Sequence, residues 1–244
     1  MQEAAAVGCL IVTRGRLLRR IPAPLLHRMA AELPADERDE MAIPSYLHRN
    51  PALRWMAWRR VQALADRLRG TAEGWSRGGE RHIVDFGCGT GVLFEEASRI
   101  ADRVIGVDTV LGAARLLVRE LGLTKVTLLG PDDAAARIAA ASVDVVIAGE
   151  VLEHLEEDLG GTLARFASWL KPSGRLLVSL PTESRLYRLG RRLAGFHGHY
   201  HHHDAAALDA AIARAGFRRL WLDKLPAGGP LTIYWVAGYA PPSS

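Results

Sequence analysis

The chain has 244 residues, 49% of them hydrophobic and 24% charged, and its 31 basic and 27 acidic side chains leave a formal net charge of +4. That length suits one α/β domain with an N-terminal extension and leaves little room for two full-size domains, and the apolar fraction can fill a core without cross-links. Two cysteines, Cys9 and Cys88, are too few for a disulfide framework and form no Cys-x-x-Cys pair, which excludes a zinc ribbon or dithiol centre and fits a reducing cytoplasm.

Near the start, the longest wholly apolar run, Cys9 to Val12, is far shorter than the ~20 residues that cross a bilayer. Glu3 interrupts the basic start of a secretion signal, so a soluble, cytoplasmic protein is expected. Pro22, Pro24, Pro34, Pro44 and Pro51 then divide the chain into short segments. The clearest helix there runs from Pro51 to Arg69, with proline at its first position and Gly70 as its stop. Its apolar residues predict packing on a sheet domain in preference to a membrane surface. Thr71 to Glu80 reads as a linker, so residues 1–80 form a helical extension or lid and residues 81–244 the main domain.

From Arg81, short apolar runs alternate with amphipathic stretches. Strands are predicted at Ile83 to Phe86, Val104 to Val107, Val126 to Leu129, Val143 to Ala148 and Leu176 to Leu180. Helices are predicted at Val92 to Ala101, Leu111 to Leu121, Asp133 to Ala140, Glu156 to Leu170 and Asp204 to Ala215, the last stopped by Gly216. Arg219 to Leu222 and Leu231 to Tyr239 add two strands around a turn at Pro226 to Pro230. The expected fold is α/β: a doubly wound, mostly parallel sheet of seven strands with helices on both faces.

The first strand runs into Asp85-Phe-Gly87-Cys88-Gly89-Thr-Gly91, a glycine-rich turn that opens a helix. Such a turn lets a ligand approach the backbone and offers free N–H groups to an anion. The spacing is not that of a dinucleotide loop, which would need glycine where this chain has Val92. Cys88 is read as a small loop residue, since no basic neighbour lowers its pKa.

Asp-x-Gly-x-Gly-x-Gly resembles the first motif of the class I S-adenosylmethionine-dependent methyltransferases, a Rossmann-like superfamily, and residues 41 to 240 follow that family's order. The resemblance implies S-adenosylmethionine as cofactor. It gives Asp85 to support of the turn, Gly87, Cys88, Gly89 and Gly91 to the methionine part, and Asp108, followed by Thr109, to the ribose hydroxyls. It gives Asp132 or Asp133, after Gly130 and Pro131, to the adenine amine.

Methyl transfer from a sulfonium is an in-line displacement, so the protein must align a nucleophile, exclude water and help a proton leave. Glu150-Val-Leu-Glu153-His154 after the fourth strand would, as a helical turn, put two carboxylates and an imidazole on one face. Glu150 also borders the donor site. With His199 or His201 downstream, this pattern resembles that of two metal-using groups, the ubiquinone-pathway O-methyltransferases and the small-RNA 3′-terminal 2′-O-methyltransferases. That resemblance implies Mg²⁺, Mn²⁺ or Zn²⁺ held by Glu150, Glu153, His154 and a distal histidine. In class I members that use no metal, the histidine at this point caps a turn or points into the substrate pocket, and without metal His154 is the expected general base.

Arg185, Arg188, Arg191 and Arg192 on a predicted helix from Pro181 to Leu193 would grip an acidic substrate, touch an anionic membrane, or form a solvated face. Tyr46, Trp55, Trp58, Tyr187 and Tyr200 are candidates for an aromatic lid. The expected reaction is methylation of a hydroxyl on a small or lipid-linked acceptor. RNA 2′-O-methylation is the alternative, although no appended RNA-binding module or aromatic-interleaved basic stripe favours nucleic acid. A non-catalytic donor-binding scaffold is the third reading.

Overall fold

The computed structural model describes residues 16–34, 42–75, 78–155, 158–182 and 204–243. In chain order these give α1 (Ala23–Glu32), α2 (Ile43–Tyr46), α3 (Pro51–Glu73), β1 (His82–Phe86), α4 (Phe94–Ile100), β2 (Arg103–Val107), α5 (Gly112–Leu121) and β3 (Val126–Leu129). There follow α6 (Pro131–Arg137), β4 (Val143–Gly149), a 3₁₀ turn at Leu152–His154, α7 (Leu159–Trp169), β5 (Leu170–Pro181), α8 (Ala205–Arg214), β6 (Arg218–Leu225) and β7 (Tyr234–Ala240).

The seven strands form one sheet in the order β3-β2-β1-β4-β5-β7-β6. Pairings among β1 to β5 are parallel, and β7 inserts antiparallel between β5 and β6. Strand alternation sorts neighbouring residues to opposite faces. Ile83, Val104, Val145, Ile147 and Leu177 join a core with α1, α3, α4 and α5, while Val84, Phe86, Val107, Val146 and Val178 join a second core with α7 and α8. The chain reverses strand order at β1 and β4, so a crevice opens at the carboxyl ends of these two strands.

The seven strands and the doubly wound architecture agree with the sequence expectation, and several boundaries move. Helix α3 runs through Gly70 to Glu73 and is capped by Gly74. A Cβ at Gly70 would meet nothing within 4 Å, so this glycine is neither a turn nor a close approach. Its cost in a helix, about 1 kcal/mol, is outweighed by the tertiary packing of Leu64 and Leu68. At the other end, the Asn50 side chain accepts from Ala52 N–H at 2.9 Å and Pro51 fills the first helical position. Helix α7 starts at Leu159 and β7 at Tyr234, each a few residues later than the pattern suggested.

The described residues between 16 and 75 do not stand apart from the sheet. Leu18, Leu26, Met29, Val61, Leu64 and Leu68 belong to the same buried cluster as Ile83, Val145 and Leu177. Three arginines of α3 complete the attachment. Arg67 grips Asp223 of β6 with two hydrogen bonds of 2.7 and 2.6 Å and stacks on Trp221 at 4.3 Å. Arg69 pairs with Glu96 of α4 at 2.9 Å, and Arg60 pairs with Glu150.

Candidate functional site

The crevice is built around the turn after β1. Gly87 and Cys88 donate to the Val107 carbonyl at 2.8 and 3.1 Å, which ties the turn to the end of β2, and Gly91 donates to the Cys88 carbonyl at 2.8 Å. Gly87, Gly89 and Gly91 all have positive φ, at 71°, 50° and 75°. They differ in what faces them. A Cβ on Gly87 would lie 2.5 Å from Val151, and one on Gly91 would lie 2.4 Å from the Phe94 ring, so both are packed against protein. On Gly89 it would meet nothing within 4 Å. The turn is therefore closed on two sides and open at its middle glycine, as a backbone cradle for a ligand must be.

Asp108 lies at the rim of that opening. Its Oδ2 accepts from Gly89 N–H at 2.8 Å and its Oδ1 from Val110 N–H at 3.1 Å, with Thr109 Oγ1 at 3.4 Å. Oδ2 keeps a lone pair, and the second contact on Oδ1, from Thr109, is long at 3.4 Å and can yield to a hydroxyl, so the residues present fit an adenosyl donor with a ribose at this rim. Asp85 sits behind the turn, buried, with its pKa raised to about 7 by desolvation first and by the Asp108 charge second. Cys88 is buried too, and desolvation, with Asp85 and Asp108 adding to it, pushes its thiol up, so it stays protonated. Asp132 and Asp133 stand exposed in the first turn of α6, which Pro131 opens.

Across the crevice, the chain leaves β4 through Glu150, a non-glycine residue at φ 55° whose N–H donates to the Ser179 carbonyl at 3.0 Å. The Glu150 Oε2 is paired with the Arg60 guanidinium. Its other oxygen, Oε1, is buried with no hydrogen-bond partner among the described residues. Burial raises the Glu150 pKa, with Arg60 opposing. Arg60 also bears on the buried Tyr46 phenol, whose ionised form its charge favours against desolvation, and lies 5.4 Å from the centre of the Tyr234 ring. Desolvation raises both tyrosines as well. Four titratable groups from α2, α3, the β4 end and β7 thus meet in one desolvated cluster.

The metal arrangement expected from the sequence does not form among the described residues. Glu150 at positive φ stands outside the short 3₁₀ turn, so the helical register that would align Glu150, Glu153 and His154 is broken. Glu153 is fully buried while His154 is exposed, and Arg60 occupies Glu150. No group of three His, Cys, Asp or Glu able to hold a metal occurs among the described residues. His199, His201, Tyr187, Tyr200 and the four arginines from Arg185 to Arg192 lie outside the described residues. Among those described, no helix is long and apolar enough to cross a membrane.

The sequence reading missed Arg60 and Tyr234. Arg60 had a signal: it sits between Ala57 and Leu64 on the buried stripe of α3, where a charge needs a partner. Tyr234, at the start of β7, had none.

Residues 16–220 match the family model described as "Methyltransferase domain". The ubiquinone biosynthesis O-methyltransferase of Bradyrhizobium diazoefficiens is 39% identical over 107 residues, covering 41% of this chain and 40% of that protein. That of Rhodopseudomonas palustris strain BisB18 is 37% identical over 106 residues, covering 40% and 38%. The chain therefore matches about two fifths of the length of these curated relatives. The fold is similar to that of the N-methyltransferase NodS of Bradyrhizobium japonicum WM9 in complex with S-adenosyl-L-homocysteine, with a TM-score of 0.60, 16% identity, and coverage of 90% of this chain and 99% of that one. It is equally similar to magnesium protoporphyrin IX methyltransferase of Synechocystis PCC 6803 with the same product bound, at TM-score 0.60, 17% identity, and coverage of 90% and 94%.

Proposed function

This chain belongs to the methyltransferase-domain family and is an S-adenosylmethionine-dependent methyltransferase, and we propose that the atom it methylates is a hydroxyl oxygen of a small or lipid-linked acceptor. The donor supplies an electrophilic methyl on a sulfonium, and the residues described above do the rest. Asp108 takes the ribose hydroxyls, the open side of Gly89 admits the methionine part with Gly87, Cys88 and Gly91 forming the turn, and Asp132 or Asp133 meets the adenine amine. Asp85 supports the turn from behind.

The observation that carries the oxygen assignment is the buried Oε1 of Glu150, which has no hydrogen-bond partner among the described residues and lies one residue before Val151, the side chain that faces Gly87. Hydroxyl methylation must lose a proton, and a desolvated carboxylate with one oxygen fixed by a guanidinium and the other unused is suited to accept it. His154 on the same loop is the second candidate base, and its exposure favours Glu150 for a proton released inside the crevice. The O-methyltransferase names of the partial relatives support the same reading.

Purified protein incubated with S-adenosylmethionine and a panel of catechols and phenols is expected to release S-adenosylhomocysteine and give an O-methyl product by mass spectrometry. Turnover confined to amine acceptors would overturn the oxygen assignment. Methylation of an RNA 2′-hydroxyl would establish the alternative reading, and donor binding with no acceptor in any extract would leave a scaffold.

A further inference from the structure

Outside the donor crevice, a cleft of about 400 Å³ lies among α1, α2 and α3, within the range of about 300–1,000 Å³ typical of ligand pockets. Its wall is apolar and aromatic, with Leu26, Tyr46 and Trp58, and its polar groups are all basic: Arg20, His27 and Arg54. No carboxylate lines it among the described residues. The Arg20 guanidinium lies 5.4 Å from the centre of the Trp58 ring, and the Tyr46 and Trp58 rings pack at 4.6 Å. Arg54 donates to the His48 carbonyl at 2.9 Å, which uses one of its five N–H groups.

We propose that this cleft binds the anionic end of the acceptor, a planar carboxylic acid such as a hydroxylated aromatic acid. The proposal rests on the O-methylation reading above and adds the substrate class. Two guanidiniums with no carboxylate partner among the described residues favour an anion, and a fork geometry favours a carboxylate. The aromatic wall favours a flat, apolar body between the charge and the reacting group. Tyr46 is shared: one side lines the cleft, and its phenol feels the charge of Arg60, which holds Glu150. A ligand seated in the cleft therefore lies one side chain away from the cluster at the end of β4.

The test is calorimetry on the full chain with S-adenosylhomocysteine present, using 3,4-dihydroxybenzoate and its uncharged counterpart catechol as probes. Binding of the acid about tenfold or more tighter than catechol is expected, with that preference lost in Arg20→Ala and Arg54→Ala and restored in part by Arg20→Lys. Both arginines are exposed, so these variants should fold, and circular dichroism checks it. Equal affinity for the two probes, or a preference that survives both substitutions, overturns the proposal. So does competition by acetate as effective as by the aromatic acid, which would leave a plain anion site. A loss of S-adenosylhomocysteine affinity in Arg54→Ala would assign the cations to the donor and likewise overturn it. Wild-type protein that binds the acid but no S-adenosylhomocysteine would refute the donor reading alone.

Discussion

Replacing Asp85 with asparagine should make the chain more stable at alkaline pH. The carboxyl is 5% exposed, and its pKa of about 7 against an ordinary 3.8 comes from burial, reinforced by the Asp108 charge. The folded chain thus holds this proton more tightly than the unfolded chain does. The Asp85 contribution to stability is fullest below about pH 4, is lost as the pH rises to about 7, and is constant above that. At about 1.4 kcal/mol per tenfold in acidity, keeping Asp85 ionised at pH 8 costs on the order of 4 kcal/mol. Roughly 2 kcal/mol of that is already present at pH 5, so the advantage of Asp85→Asn should grow by about 2–3 kcal/mol between pH 5 and pH 8. For a chain of this size that is about 5–10 °C in Tm. Thermal and urea unfolding of both proteins without donor, at the two pH values, reads the difference directly. A gap between variant and wild type that is the same at pH 5 and pH 8 would refute the argument, whatever its sign.

The glycine turn separates packing from binding. Gly91→Ala, whose methyl would meet the Phe94 ring, should cost about 2–4 kcal/mol in unfolding experiments, and Gly89→Arg should leave the fold intact while abolishing S-adenosylhomocysteine binding by calorimetry. Glu150→Gln should lower kcat for hydroxyl acceptors about 100-fold or more with donor affinity kept, whereas His154→Asn should change kcat by less than tenfold; the reverse ranking would return the proton to the histidine. Arg67→Met, which breaks the paired bonds to Asp223 and the stack on Trp221, should lower stability by about 1–2 kcal/mol and leave donor affinity unchanged.

Much of the architecture was legible because a parallel sheet announces itself in short apolar strands such as Ile83 to Phe86 and Val143 to Ala148, each followed by a turn. The glycine turn was legible for a local reason: three glycines in five positions signal positive φ, and all three have it. The geometry after β4 was hidden because nothing in Glu150-Val-Leu-Glu-His distinguishes a helical turn from one entered through a left-handed glutamate. Residue Arg60 binds Glu150 across 90 positions of sequence, a contact that no local pattern encodes. Gly70 misled in the opposite direction, since its local preference to end a helix lost to the burial of Leu68.

The position of β7 bears on how this protein is made. It follows β6 in the chain yet sits between β5 and β6, and β6 reaches the sheet only through it. A nascent chain that has emerged as far as residue 225 therefore carries a strand with no neighbour to pair with, and an open edge on β5. Tyr234, which flanks Arg60, belongs to the same segment, so the charged cluster beside the donor crevice closes only after residue 234 has emerged. Folding that waits for contacts of such long sequence separation is slow, and it exposes strand edges in the interval. Ribosome-stalled chains ending before residue 234 should accordingly be protease-sensitive and chaperone-bound, and a few more residues of length should convert them abruptly to the resistant form.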